Sequence, residues 1–560
     1  MTTSTDRTTP RALRMAQPLA RDVVDQIAAE YGVCLRPIPM YRLDEATGET
    51  RLFDLPCGAT LASKCAPCAE RNRLLRMAQC REGWHLETEP VIPPKPPTEE
   101  QRWLIEFRAD WQAKRDAAHA AGEDTSEHDE VLRGLDAEIR AAGMRGSVTG
   151  RASTARKRST RRRQDAPDLP RRRRVATTLG RTYTGRDGRR FRPSMFITLT
   201  LPSYGKIQTD RGVPVDPDAY DYTRAARDAI HFARLVDRFV QNLRRVAGYD
   251  VQYFAAVEPQ KRLAPHLHMA MRGTLSRAEI KQIAAATYHQ VWWPSVDVVR
   301  FEGEHLPVWV ERAEREDGTP YPDRQSGDYI DPTTGEVLPT WDEALDAIGD
   351  DDEPMHVIRF GEQVKADGIM AGTKDADKAI GYIAKYLTKA IGESVSTGDP
   401  DDPDQQARQA HAARMVEALR YEPCSPTCAN WLRYGVQPKN ARAGMVPGRC
   451  RGKAHKPEHL GYAGRRVLVS RKWSNKTLTD HRADRRAFAL EALGLSATEE
   501  TDPGRYSWRP VPSGDPGLRP LGERLLLAVA ERQRWRRLRD ELRARADGQD
   551  LSATEKRRAA

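Results

Sequence analysis

His266 and His268 flank Leu267 in HLHMAMR (266–272). Alternate residues of an extended strand share a face, so both imidazoles point one way and Leu267, Met269 and Met271 the other. Two imidazoles on one face are a ready pair of divalent-metal ligands. Glu258 ends the preceding segment, DVQYFAAVE (250–258), and a hairpin folded at Pro259–Pro265 would bring its carboxylate beside the rings. Two histidines and one carboxylate leave coordination positions for water and for a phosphate oxygen, whose developing charge the ion would stabilise. Taken alone, an HxH strand is as well explained by a chance polar face.

A second pair of reactive groups follows. Tyr382 and Tyr386 lie four apart in DADKAIGYIAKYLTKAIG (375–392), a helical pattern, and so share a face; Lys385 and Lys389 form another such pair. A phenol titrates near pH 10 and is a poor nucleophile unaided. A nearby lysine and a metal-polarised phosphodiester would both favour attack by the phenolate. Tyr386, directly after Lys385 and one turn before Lys389, has the slightly more basic setting and is by a small margin the favoured nucleophile, although Tyr382 also has Lys378 and Lys385 within a turn. The alternative is that both rings are core aromatics of an amphipathic helix.

The eight cysteines fall into two groups. Cys57, Cys65, Cys68 and Cys80 follow a C-x7-C-x2-C-x11-C pattern that fits tetrahedral structural zinc, with Cys34 or His85 able to replace one of them. Cys424, Cys428, Cys450 and either His455 or His459 form a looser second set. Either knuckle would fix a small DNA-facing surface whose own core is thin. Trp431 and Tyr434 beside the second set could stack on unpaired bases, though burial beneath the knuckle suits them better.

These groups need elements to hold them. MFITLTL (195–201) reads as a buried strand, residues 223–247 as an amphipathic helix with Ile230, Ala233, Val236, Phe239 and Val240 on one face, and MHVIRF (355–360) as another strand. Residues 99–144 are charged and helical, and Pro520–Arg545 form a basic helix. Residues 311–354 are acidic and contain Gly and Pro, and read as a surface insertion. The chain carries a net charge of +11, and Arg145–Arg192 alone hold 17 Lys/Arg against 3 Asp/Glu. Such a run is a solvated tether that binds phosphate backbone non-specifically. No run of 18 apolar residues and no signal-peptide core occurs, so a cytoplasmic location with reduced thiols is expected. There is no Walker-type GxxxxGK[ST] motif to suggest a built-in ATP-driven helicase.

Together FITLTLPS (196–203), AAVEPQKRLAPHLHMAM (255–271) and GYIAKYLTK (381–389) resemble, in this order, the three motifs of HUH endonucleases. The EPxxxxxPHxH and YxxxY–Lys forms are similar to replication initiators of the bacteriophage A-protein type. HLGYAGRRVLVSRKWSNKTL (459–478) and CGATLASKCAPC (57–68) resemble actinobacterial plasmid or integrative-element initiators of the RepSA type. The resemblance spans roughly residues 50–90 and 193–480. It implies an α+β fold, the HUH palm, with an antiparallel central sheet and flanking helices, joined to small zinc knuckles and to basic helical or disordered segments. It further implies His266, His268 and Glu258 as ligands of Mg²⁺ or Mn²⁺, and Tyr382 and Tyr386 as nucleophiles. The implied product is a 5′-phosphotyrosyl link to DNA and a free 3′-hydroxyl for a polymerase.

The expected organisation is a cysteine-rich region at 1–98, a charged helical segment and basic tether at 99–192, an endonuclease domain at 193–395, a second cysteine-rich DNA-binding region at 396–480 and a basic helical tail at 481–560. The expected partners are origin DNA, single-stranded DNA and a host helicase and polymerase, with no membrane. Two other readings compete. A two-tyrosine HUH transposase would share the chemistry, whereas a conjugative relaxase usually places its tyrosine before the histidines. A zinc-dependent DNA-binding regulator would bind DNA without any covalent adduct.

Overall fold

The computed structural model describes residues 18–84, 97–144, 165–186, 190–312, 327–349, 351–370, 372–385, 401–463, 466–492, 505–512 and 514–558, with positions 86, 88–90, 188 and 387. By contacts the chain divides into a larger unit, Met1–Pro90 with Asp165–Ala560, and a smaller one, Val91–Gln164.

The centre of the larger unit is a five-stranded sheet of β1 (Pro193–Thr200), β2 (Tyr253–Pro259), β3 (Pro265–Arg272), β4 (Val364–Met370) and β5 (Val467–Val469), in the order β4-β1-β3-β2-β5. Every neighbouring pair is antiparallel. This is the mixed helix-and-sheet architecture expected from the sequence. Helices α1 (Ala62–Trp84), α2 (Tyr222–Ala247), α3 (Arg277–Ala286), α4 (Lys374–Lys385) and α5 (Pro403–Tyr421) surround it.

The two sheet faces are covered differently. Ile197, Leu199, Val257, Leu267, Met269 and Met271 join the buried face of α2, including Phe232, Val236, Phe239 and Leu243, in the largest core cluster. Asp221 caps α2 by accepting from the Arg224 amide, and Gly248 ends it in the left-handed region. On the opposite face Phe254, Ala256 and Ala270 pack with Ile380 and Ile383 of α4 and with Cys80 and Trp84 of α1. Trp473 completes this second cluster, and its indole passes so close to Gly83 that any Cβ there would enter the ring. The α1 helix turns at Cys65, whose backbone is extended (φ −166°, ψ 97°).

Two segments are more built-in than their composition suggests. Within the acidic stretch 311–354, Gly327–Ile330 pairs with Val308–Glu311, and Tyr329 and Trp341 are buried. Trp341 packs on Trp431 and Trp293, so aromatic anchors hold this stretch against the second cysteine region and only part of it is a surface excursion. Likewise Val467–Val469, expected in a separate C-terminal region, adds the fifth strand to the central sheet.

A three-stranded antiparallel sheet joins Ile38–Asp44 and Thr50–Leu55 to Tyr506–Pro510, and the helix Pro18–Glu30 packs against the C-terminal helix Leu521–Arg558 through Val24, Ala28, Leu525 and Val529. The smaller unit is a helical hairpin, Glu99–Ala120 and Ser126–Ala141. Thr98 and Gln101 form a capping box, Leu104, Leu135 and Ile139 make its core, and Arg108 pairs with Asp136 at 2.5 Å. Residues 145–164 of the basic run lie outside the described residues. No helix among the described residues is long and apolar enough to cross a membrane.

Candidate metal and nucleophile site

Strand register builds the site. β2 and β3 pair so that Glu258 lies directly opposite His266, and β1 and β3 pair so that Thr198 lies opposite His268. Period two then puts Glu258, His266, His268 and Thr198 on one face, while Leu267 and Met269 enter the core with no exposure. Ligand atoms of Glu258, His266 and His268 all lie within 4.8 Å of one another. The two imidazole centroids are 4.4 Å apart.

The electrostatics suit a cation. His268 Nε2 is 3.0 Å from Glu258 Oε1, a separation at which two acceptors need a proton or a metal ion between them. Thr198 Oγ1 lies 3.2 Å from His268 Nδ1 and can accept its N–H, the tautomer that turns the Nε2 lone pair toward Glu258. Burial, then the neighbouring His268 and Arg262, pushes the His266 imidazole down to about 4, so its lone pair is present at neutral pH. Gln260, in the β2–β3 turn, places Nε2 3.4 Å from His266 Nδ1. The turn is held by Arg262, which donates to the carbonyls of Leu201 (2.6 Å) and Pro202 (2.9 Å). Thr198 and Gln260 stand inside the quoted motifs, yet only the register shows that they touch the histidines.

The helix α4 brings one tyrosine to this group. Ile380 and Ile383 anchor it on the sheet, and Tyr382, between them, stands 42% exposed with its ring centroid 4.8 Å from that of His268. Phe196 of β1 lies edge-on to the same ring at 6.3 Å. Lys385 is exposed on the last turn of α4. Tyr386 and Lys389 lie outside the described residues.

The first cysteine group differs from its expected composition. Cys34, Cys57, Cys65 and Cys68 have sulfurs within 4.8 Å of one another, with Cys34 and Cys65 3.9 Å apart. A tetrahedral zinc with Zn–S of about 2.3 Å sets sulfurs about 3.8 Å apart, so the spacing fits. Cys80 does not join them. It lies twelve residues beyond Cys68 on α1, roughly 18 Å along a helix, and is buried among Trp84, Trp473 and Ile383. Burial pushes its thiol far up, so it is an inert core side chain. Cys34, the alternative named above, takes the fourth position. His85 lies outside the described residues.

The second group is Cys424, Cys428, Cys450 and His455. His459 stands outside it. Cys428 Sγ is 3.5 Å from His455 Nε2, and His455 Nδ1 donates to the Leu419 carbonyl at 2.8 Å, which aims Nε2 at the sulfurs. Burial opposes charge on His455, but Cys424 and Cys450 outweigh it and raise the imidazole to about 10. A bound ion would displace that proton, because sulfur and imidazole ligands must both be deprotonated. Gly452 leaves the room, since a Cβ there would meet Cys424 Sγ at 3.0 Å. Trp431 is fully buried beneath this group and so stacks on protein.

An antiparallel sheet with a two-histidine, one-carboxylate face, a tyrosine-bearing helix beside it and two cysteine groups define an α+β protein; among the described residues these three clusters and a Glu82–His481–Asp484 group could each hold a metal ion. The family model for RepSA, described as "Replication initiator protein, pSAM2", matches residues 20–532, and the chain belongs to this family of replication initiators. No curated protein and no solved structure matches the chain.

Proposed function

We propose that this replication initiator nicks one strand at the origin of a plasmid or integrative element by metal-assisted tyrosine attack. The observation that carries the reading is the Tyr382 ring standing 4.8 Å from His268, within the Glu258–His266–His268 group. These three residues would hold Mg²⁺ or Mn²⁺, which supplies Lewis-acid polarisation of the scissile phosphate. Tyr382 loses its phenolic proton, its oxygen bonds to phosphorus, and the bond from phosphorus to the 3′-oxygen breaks. The products are a 5′-phosphotyrosyl link and a 3′-hydroxyl from which a polymerase extends. Tyr386, four residues on, would serve the second transfer that closes the displaced circle. Lys385 and Lys389 would favour the phenolates. The two cysteine groups would hold structural zinc.

A labelled single-stranded origin oligonucleotide incubated with the protein and Mn²⁺ tests this: a denaturation-resistant adduct is expected. The same chemistry serves a two-tyrosine transposase, but the family is one of replication initiators. A zinc-dependent regulator would bind the oligonucleotide and leave no adduct.

A further inference from the structure

Between α2 and the second cysteine group lies a cavity of about 210 Å³. His231, Ala233 and Arg234 of α2 line it, with Trp293, Ser425 and Tyr462. Pockets for drug-sized ligands run to about 300–1,000 Å³, so this one suits a single small ring system.

Among the described residues the Tyr462 hydroxyl on its wall is buried with no hydrogen-bond partner, unlike its buried polar neighbour Asp228. Asp228, 2% exposed, accepts from Tyr204 at 2.8 Å and bonds His356 at 2.7 Å. His231, 5% exposed, instead meets rings, those of Trp293 (4.7 Å), His289 and His356. Burial, then His289 and His356, pushes its imidazole down to about 3, so the ring is neutral and offers one donor and one acceptor. The unpartnered Tyr462 hydroxyl calls for a ligand or water to satisfy it. The half-buried Trp293 and the Tyr462 ring supply flat apolar walls, and the exposed Arg234 supplies a cation at the mouth.

The cavity lies across the central sheet from the candidate nicking site. Val257 lines it, and Glu258, the next residue in the strand, turns to the opposite face of the sheet. Burial chiefly pushes the Tyr462 phenol up, Arg466 opposes it, and the carboxylates of Asp228 and then Glu258 raise it further, so Glu258 acts on this wall across the sheet.

We propose that this cavity takes one unpaired nucleobase of the DNA strand engaged at the Glu258–His266–His268 face. Aromatic walls would stack the base, the neutral imidazole would read a donor–acceptor edge, and Arg234 would meet a flanking phosphate. The inference rests on the nicking reading for the identity of the DNA.

The test is binding by the full-length protein, without added Mg²⁺ or Mn²⁺, of single-stranded 20-mers of dA, dC or dT and of a 20-mer of abasic residues. The tightest homopolymer should bind about tenfold better than the abasic strand. Ala233→Leu, which fills the cavity, and His231→Phe, which removes its polar edge, should each cut that ratio below about threefold. The abasic affinity, which reports fold and backbone contacts, should not change. A ratio that stays tenfold in both variants overturns the proposal. Cleavage is not read here, so failure to nick would strike the proposed chemistry and leave this result standing.

Discussion

The histidine face and the cysteine groups are both candidate metal sites, but they are held in opposite ways. Glu258, His266 and His268 sit on paired strands whose register is set by a large core on the other face. The cysteines come from turns, helix ends and 3-10 segments: Cys34 and Cys57 lie outside regular structure, Cys428 precedes one short 3-10 helix and His455 ends another. A sheet places its ligands whether or not an ion is bound. Loops with small cores need the ion to define them. The histidine face should therefore lose chemistry when its metal leaves, whereas the cysteine regions should lose structure.

The largest effect should follow from removing zinc. Cys65→Ser or Cys428→Ser, or dialysis of the wild type against a strong chelator, should lower the melting temperature by more than about 10 °C, in keeping with several kcal/mol of folding energy carried by a structural ion. Cys80→Ser should do much less. Metal analysis should find two zinc ions per chain; none would erase the contrast.

Next comes the histidine face. His266→Ala and His268→Ala should each reduce nicking by about 10³-fold, the scale of several kcal/mol of transition-state stabilisation, while melting temperature and duplex binding stay near wild type. Glu258→Gln should lose less, since an amide oxygen still coordinates weakly. Unfolding of the histidine variants would show that this site is structural after all.

Acid should sharpen the comparison more gently. His231 and His411 have folded-state pKa values lowered to about 3 and about 4, chiefly by burial, against an ordinary 6.5. Below pH 6.5 the unfolded chain takes up protons that the folded chain refuses. Their contribution is whole above 6.5 and declines as pH falls toward 4, by roughly 1.4 kcal/mol per unit for each histidine. Melting temperature should fall across that window, with a shallower slope in His411→Gln. A flat profile from 6.5 to 4.5 would contradict their burial as neutral rings.

The smallest effect concerns the basic run. Deleting residues 145–164 should flatten the dependence of log affinity on log salt, because fewer counterions are released, and leave the nick position unchanged. A shifted nick would make the run a specificity element.

The legible parts were those with a period. Alternation in HLHMAMR and the apolar face of residues 223–247 give β3 and α2 nearly to the residue, and the turn at Pro259–Pro265 puts Glu258 beside the rings. What was hidden depends on long-range pairing. Nothing in the spacing of Cys34 sets it above Cys80, because the choice is made by the extended backbone at Cys65 and by the length of α1. Thr198 touches His268 only through the β1–β3 register, and the acidic stretch conceals Tyr329 and Trp341, whose burial outweighs its composition.

The central claim is that Tyr382 works with the metal held by the histidine face. It is tested most directly by adduct formation on one labelled single-stranded origin oligonucleotide with Mn²⁺, comparing wild type, Tyr382→Phe, Tyr386→Phe, the double variant and His268→Ala. The account predicts a covalent adduct in the wild type, loss of most of it in Tyr382→Phe, and none in the double variant or in His268→Ala. An adduct that persists in the double tyrosine variant would place the nucleophile elsewhere and reduce α4 to a packing helix.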